Sequence, residues 1–197
     1  MIAIIDYGAG NLRSVQNTLA QIGSAYRIVH TPEQLRAASK IILPGVGHFG
    51  QMMRALEMME MRDAIRKRIE NRVPFLGICL GLQAMYETSE EAPELRGLGI
   101  LQGSVKRFAS DLRVPHMGWN EIVPREGSAL LGNLGPHPYL YFAHSYYAPS
   151  GAATAAICEY GIPYTAAIET GNLFGVQFHP EKSGTLGLRV MKNFVDL

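Results

Sequence analysis

Apolar residues in the first half of the chain fall in short runs separated by longer stretches of helical spacing. Ile2–Ile5, Tyr26–Val29, Ile41–Leu43 and Val73–Ile78 read as strands. Asn11–Ile22, a short segment after Pro32, about Gln51 to Asn71, and Leu80–Tyr86 read as helices. Strand and helix in alternation predict a parallel sheet covered on both faces. After Pro93 the texture changes to shorter β-rich segments, Ile100–Arg107, Trp119–Val123, Tyr139–Tyr147, Thr154–Cys158, Thr165–Glu169 and Leu173–Gln177, and a final helix over Leu186–Asp196 closes the chain. No repeat, low-complexity tract or linker interrupts this series. The pattern therefore predicts one α/β domain over residues 1–197, three layers deep, with a mostly parallel central sheet and an additional β-rich C-terminal half.

In open α/β sheets, sites form beyond the carboxyl ends of the strands, so the strand ends carry the search for chemistry. At the fourth strand, Gly77-Ile78-Cys79-Leu80-Gly81-Leu82-Gln83 sets a cysteine between two glycines where an apolar run turns into a helical pattern. Small residues two before and two after a nucleophile let the backbone turn sharply and present the side chain at the top of the sheet. The start of a helix also favours the thiolate. A cysteine at this place is equally at home as a small core hydrophobe. The other cysteine, Cys158, has no flanking glycines and reads as core.

Three further strand ends matter. Gly8-Ala9-Gly10 after the first strand invites a dinucleotide reading, but Arg13 occupies the place of the third glycine, and a turn with close backbone approach fits better. Pro44-Gly45-Val46-Gly47-His48-Phe49-Gly50 can aim amide N–H groups into a cavity, as an oxyanion hole requires, or can be an ordinary turn; His48 reads as structural. Phe178-His179-Pro180-Glu181 ends a strand in a histidine with a carboxylate two residues on, which on an extended segment would face the same side and orient the imidazole. Joined to the cysteine elbow, this makes a Cys79-His179-Glu181 triad the leading reading. His144 competes as a second candidate, either at a substrate-facing edge or as a satisfied strand histidine.

Composition adds exclusions. A net charge of +1 and 47% hydrophobic content point to a globular protein without the basic surface that nucleic acid or an anionic membrane would call for. Two cysteines without metal-type spacing, and an N-terminus that reads as a strand rather than a leader, predict a reduced, cytoplasmic protein. No apolar run is long enough for a transmembrane helix.

These residues resemble a known family, the triad-type (class I) glutamine amidotransferases, with Gly-x-Cys-x-Gly-x-Gln at the elbow and His-Pro-Glu near the C-terminus. Within it, Asp6-Tyr7-Gly8-Ala9-Gly10-Asn11, Pro44-Gly45-Val46-Gly47, His116-Met117-Gly118-Trp119-Asn120 and His179-Pro180-Glu181-Lys182-Ser183 look like the branch of glutaminase subunits that serves imidazole glycerol phosphate synthesis. The resemblance covers the whole chain and implies a flavodoxin-like glutamine amidotransferase fold. It implies hydrolysis of L-glutamine to glutamate and ammonia, without metal or organic cofactor, and a heterodimer with a (β/α)₈-barrel cyclase that receives the ammonia. It further implies an oxyanion site of Leu80 with Val46 or Gly47, a glutamine pocket of Gln83, His144, Ser145 and Tyr146, and a partner face of Asn11, Trp119, Asn120 and Lys182. A glutaminase of another pathway (anthranilate, aminodeoxychorismate or pyridoxal phosphate synthesis) and a non-catalytic partner-binding module are the rival readings. Met117-Gly118-Trp119-Asn120 and Lys182-Ser183 argue against the first, and an intact triad against the second.

Overall fold

A computed structural model describes residues 1–197. Its central sheet has nine strands, β1 (Ile2–Ile5), β2 (Tyr26–Val29), β3 (Lys40–Gly45), β4 (Phe75–Cys79), β7 (His116–Pro124), β8 (Tyr139–His144), β10 (Thr154–Tyr160), β11 (Ile162–Thr170) and β12 (Leu173–Val176). Their order is β2-β1-β3-β4-β12-β11-β10-β7-β8. From β2 to β12 every neighbour is parallel; from β12 to β8 every neighbour is antiparallel. The parallel part matches the alternating pattern of the first half. The antiparallel part is the β-rich second half, joined edge to edge through β12. A smaller sheet of β5 (Tyr86–Ser89), β6 (Leu101–Arg107) and β9 (Tyr146–Tyr147) lies apart.

The apolar strands bury both faces because side chains alternate. Ile2, Ile4, Ile42, Leu76 and Ile78 face one core, shared with Val15 and Leu19 of α1 (Leu12–Ile22) and Val190, Met191 and Phe194 of α6 (Gly184–Asp196). Ala3, Ile5, Ile41, Leu43 and Phe75 face the other, shared with α3 (Phe49–Met58) and α4 (Met61–Glu70). Three layers result. The short helix α2 (Pro32–Leu35) contributes Leu35 to the second core.

Three expected elements differ. The helix expected over about Gln51 to Asn71 is two helices, because its buried positions Met52, Met53 and Leu56 are followed by Met61, Ile65 and Ile69, a slip of one residue in the apolar stripe. The slip is taken up at Glu60, whose φ is 56, and Met58 is exposed rather than packed. The helix expected over Leu80–Tyr86 is a single turn, α5 (Leu80–Gln83). The carbonyls of Ala84 and Met85 are taken by the N–H groups of Leu98, Ile100 and Leu101, which draws the chain into β5 instead. The run Tyr139–Tyr147 is two strands in different sheets, divided at Ser145, whose carbonyl accepts from Phe108 N–H.

Candidate active site

The elbow between β4 and α5 is built by its glycines. Cys79 has φ 52 and ψ −106, a backbone state that a residue with a side chain holds only where its surroundings enforce it. A Cβ on Gly77 would lie 2.5 Å from the Gly81 carbonyl oxygen, and one on Gly81 would collide with the Leu43 carbonyl. No other residue fits at either place. Gly45 of β3 stands in register with Cys79, so the following residues, Val46 and Gly47, are delivered beside the sulfur.

His179 follows β12, and its position is fixed by Ser183. The Ser183 hydroxyl donates to the His179 carbonyl at 2.7 Å and accepts from Tyr141 N–H at 2.9 Å, while His179 N–H donates to the Tyr141 carbonyl at 2.8 Å. Pro180–Lys182 is a 3₁₀ turn, so the pairing of His179 with Glu181 comes from that turn and not from the strand-like alternation expected from spacing. The outcome is the expected contact: Nδ1 of His179 lies 2.9 Å from Oε1 of Glu181, with the two side chains 3% and 1% exposed. The same carboxylate oxygen accepts from Asn11 Nδ2 at 3.1 Å, and Asn11 in turn accepts from Ser14 Oγ at 2.8 Å. Burial pulls the imidazole pKa down, but the Cys79 sulfur and the Glu181 carboxylate outweigh it and push it up to about 10.

Across the sulfur, the antiparallel strands supply a second histidine pair of opposite character. Nδ1 of His144 lies 2.9 Å from the Tyr146 carbonyl, which can only accept, so this nitrogen carries the proton and Nε2 accepts from Tyr164 Oη at 3.2 Å. His116 Nδ1 lies 3.1 Å from the same Tyr164 hydroxyl, and its ring stacks between Phe142 and Tyr160 at 5.0 and 4.0 Å between centroids. With no carboxylate in reach, burial lowers His144 to about 3 and His116 to about 4. Both are neutral at physiological pH.

A cavity of about 180 Å³ opens between these two sides, lined by Val46, Gly47, Cys79, Leu80, Gln83, Glu91, Pro115, Met117, Ala143, His144, Ser145, Tyr146 and His179. Every residue expected for the oxyanion site and the glutamine pocket is in that lining, and Glu181 stands directly behind His179. A broader surface depression of about 830 Å³ beside α2 and α4 is lined by mixed charges, including Arg36, Arg62, Glu57 and Asp63, and contains no cysteine, serine, threonine or histidine. Of the residues expected at a partner face, Trp119 is 56% exposed and packs edge-on against Tyr141, and the Lys182 ammonium lies 5.9 Å from the centre of the same Tyr141 ring. Asn120 donates to the Glu159 carbonyl at 2.9 Å, and Asn11 is tied to Glu181. These two are engaged within the chain.

Sequence reasoning missed four residues. Glu91 is the cavity's carboxylate, held by Phe49 N–H at 2.7 Å. Gln177 is fully buried, and its Nε2 lies 3.5 Å from Cys79 Sγ. Tyr7 pins the Val46–Gly47 loop: its hydroxyl donates to the Val46 carbonyl and accepts from Val46 N–H, both at 3.2 Å. Burial pushes the Tyr7 phenol up to about 12. Tyr164 joins the two neutral histidines. A signal existed for Gln177, since an amide inside the apolar run Leu173–Phe178 demands a partner. His48 is structural as expected, capping α3 by accepting from Gly50 N–H at 3.0 Å.

The likenesses to known proteins agree with this geometry. The family model for class-I glutamine amidotransferase matches residues 3–197. The chain is 48% identical to the imidazole glycerol phosphate synthase subunit HisH of Methanothermobacter thermautotrophicus, over 100% of this chain and 98% of that protein. It is 47% identical to the protein of the same name from Moorella thermoacetica, over 100% and 94%. Among solved structures, a glutamine amidotransferase superposes with a TM-score of 0.79 at 21% identity, covering 100% of this chain and 98% of that one. The structure of PurLQS from Thermotoga maritima gives 0.76 at 20% identity, covering 99% and 97%. At such identities the structural matches speak for the fold alone. With a family model spanning nearly the whole sequence and full-length relatives well above 30% identity, the chain belongs to the class-I glutamine amidotransferase family.

Proposed function

We propose that this protein is the glutaminase subunit of an imidazole glycerol phosphate synthase, in the cytoplasmic pathway of histidine biosynthesis, hydrolysing L-glutamine and passing ammonia to a (β/α)₈-barrel cyclase. The observation that carries the reading is the buried Cys79, His179 and Glu181 set beside a small cavity that Cys79 and His179 line. Full-length similarity to proteins named as subunits of that synthase supports the choice of pathway and the need for a partner.

The chemistry follows from the geometry. Cys79 thiolate attacks the carboxamide carbon of glutamine, and the negative charge moves to the carbonyl oxygen. Leu80 N–H, at the free N-terminus of α5, and an N–H from the Val46–Gly47 segment receive it. His179, held cationic by the sulfur and by Glu181, gives a proton to the departing ammonia. The neutral imidazole then takes a proton from water, whose oxygen cleaves the glutamyl thioester and expels the Cys79 thiolate, restoring the starting thiolate and imidazolium. Glu181 keeps the ring in the orientation both steps use. Glu91 offers the α-ammonium of the substrate its counter-charge.

Beside the cavity mouth, Met117, Trp119 and Val123 of β7 project from one face and are 65%, 56% and 69% exposed, with Ile157 of β10 next to Val123. Such an apolar face, interrupted only by Glu121, fits a protein partner. A cyclase docked there, reaching Lys182 and Asn11, covers the cavity, so ammonia crosses without meeting bulk water, where it would be protonated. The Tyr7 hydroxyl occupies Val46 N–H, which withholds one oxyanion donor from the cavity. The isolated chain should therefore be slow, by about a hundred- to a thousandfold relative to the complex, the cost of one missing oxyanion donor. Steady-state glutamate release, with and without the cyclase and its ligand, is the test. Equal rates would contradict the withheld donor, and no release in either state would contradict the function.

A further inference from the structure

The elbow helix is a single turn, so aligned peptide dipoles supply less to the Cys79 thiolate than the sequence pattern promised. Other donors must do that work. One is His179, already in the mechanism. The second is hidden in the wall behind the cavity, where the hydrogen bonds leave only one assignment.

The Tyr146 carbonyl accepts and cannot donate, so the Gln83 atom 2.7 Å from it is Nε2. That same nitrogen lies 3.0 Å from the Gln177 carboxamide, whose facing atom is accordingly the oxygen. The other end of the carboxamide, 3.5 Å from Cys79 Sγ, is then the NH₂ group. His144 Nδ1–H on the Tyr146 carbonyl at 2.9 Å fixes the starting point of the chain. Gln177 is fully buried and outside the cavity lining, so water does not compete for its amide. A sulfur that faces an N–H donor is better satisfied as thiolate than as thiol, because charge shortens and strengthens the bond.

We propose that Gln177 is a further catalytic residue, whose carboxamide N–H holds the Cys79 sulfur as thiolate, and that Gln83 is the positioning residue that keeps this carboxamide from turning over. The inference deepens the reading of Cys79 as nucleophile and rests on it. When the sulfur attacks, its lone pair becomes the S–C bond and the charge passes to the substrate oxygen; Gln177 keeps its proton throughout. Its effect is on how much thiolate is present, so it acts on kcat at low pH and not on KM.

The titratable groups around the sulfur are His179 and Glu181 after β12, Tyr7 after β1, Tyr164 on β11 and, beyond His179, His144 on β8. Burial raises both phenols and lowers His144, so all three are uncharged at neutral pH. The charged neighbours are His179 and Glu181, with Glu91 in the lining of the same cavity, and the variants below leave all three in place.

The test is the pH profile of Cys79 alkylation by iodoacetamide in the full chain, with Cys158→Ala as background, so that only one thiol reacts. Gln177→Leu should move the midpoint up by about one unit, roughly tenfold less thiolate at a fixed lower pH, the size of one lost charge-assisted hydrogen bond. Gln83→Leu should move it in the same direction by less, because the amide survives and only its orientation is freed. In the complex with cyclase, the pH–rate profile of Gln177→Leu for glutamate release should shift by the same amount with KM unchanged. A folded Gln177→Leu variant with the unshifted midpoint overturns the proposal; where that variant does not fold, an unshifted Gln83→Leu does. Alkylation needs neither glutamine nor partner, so a protein without glutaminase activity would refute the proposed function while this titration still decided the role of Gln177.

Discussion

Two histidine sites face each other across the cavity, and the same side chain at similar burial ends in opposite states. His179 is pushed up to about 10, whereas His144 and His116 are lowered to about 3 and 4. The difference lies in the partners. His179 has a carboxylate at 2.9 Å and a sulfur that can ionise; His144 has a peptide carbonyl and a tyrosine hydroxyl. Burial alone would make both neutral, so it is the carboxylate and thiolate that turn one histidine into an acid and leave the other as a shaped piece of wall. The parallel half of the sheet thus carries the charged chemistry, and the antiparallel half carries the neutral pocket.

The largest effect expected from breaking this contrast is at the sulfur. Cys79→Ala should abolish glutamine-dependent synthesis in the complex while leaving use of free ammonia near wild type, because the acceptor site lies in the cyclase; parallel assays with glutamine and ammonium salt check it. Next is Glu181→Leu, which takes the carboxylate from His179 and leaves only the sulfur to favour its charge. Glutamate release should fall by about a thousandfold or more in kcat with KM little changed, and Glu181→Gln, which still hydrogen-bonds, should lose less. A Gln variant as weak as the Leu variant would remove the orienting role.

Tyr7→Phe should act in the opposite direction. Deleting the hydroxyl frees Val46 N–H and the Val46 carbonyl at once, and the basal rate of the isolated chain should rise about fivefold, the worth of roughly one net hydrogen bond, with the rate of the complex unchanged. Glutamate release by the chain alone reads this.

The smallest expected effect is on stability, and its sign separates the two sites. A histidine lowered in the fold from 6.5 resists the proton that the unfolded chain takes up, so His144 and His116 cost stability as pH falls from about 6.5 towards 4. A histidine raised in the fold, as His179 is to about 10, contributes stability that is full below 6.5 and lost as pH rises through 10. Urea midpoints from pH 4 to pH 10 should therefore fall at both ends. His144→Phe should flatten the acid limb, and Glu181→Leu should shrink the alkaline limb by lowering the pKa of His179.

Much of this was legible in the residue pattern. Glycines on both sides of Cys79 announce an elbow because only they fit beneath the neighbouring carbonyls, and His179-Pro180-Glu181 keeps its carboxylate close whatever the local backbone does. The helix expected over Leu80–Tyr86 fails because Ala84 and Met85 give their carbonyls to residues of the Leu98–Leu101 segment, a non-local competition that periodicity does not register. Gln177 and Tyr7 escaped for the same reason. Their partners lie 98 and 39 residues away; the apolar run around Gln177 signals that its amide needs a partner, but which partner either residue has appears only in the fold.

The central claim is a covalent glutamyl intermediate on the sulfur that faces the charged histidine. Rapid acid quench of the protein–cyclase complex turning over glutamine, followed by peptide mass measurement, reads it directly. The account expects one glutamyl group on the peptide containing Cys79 and none in Cys79→Ala. Glutamate formed at the full rate by Cys79→Ala would contradict it.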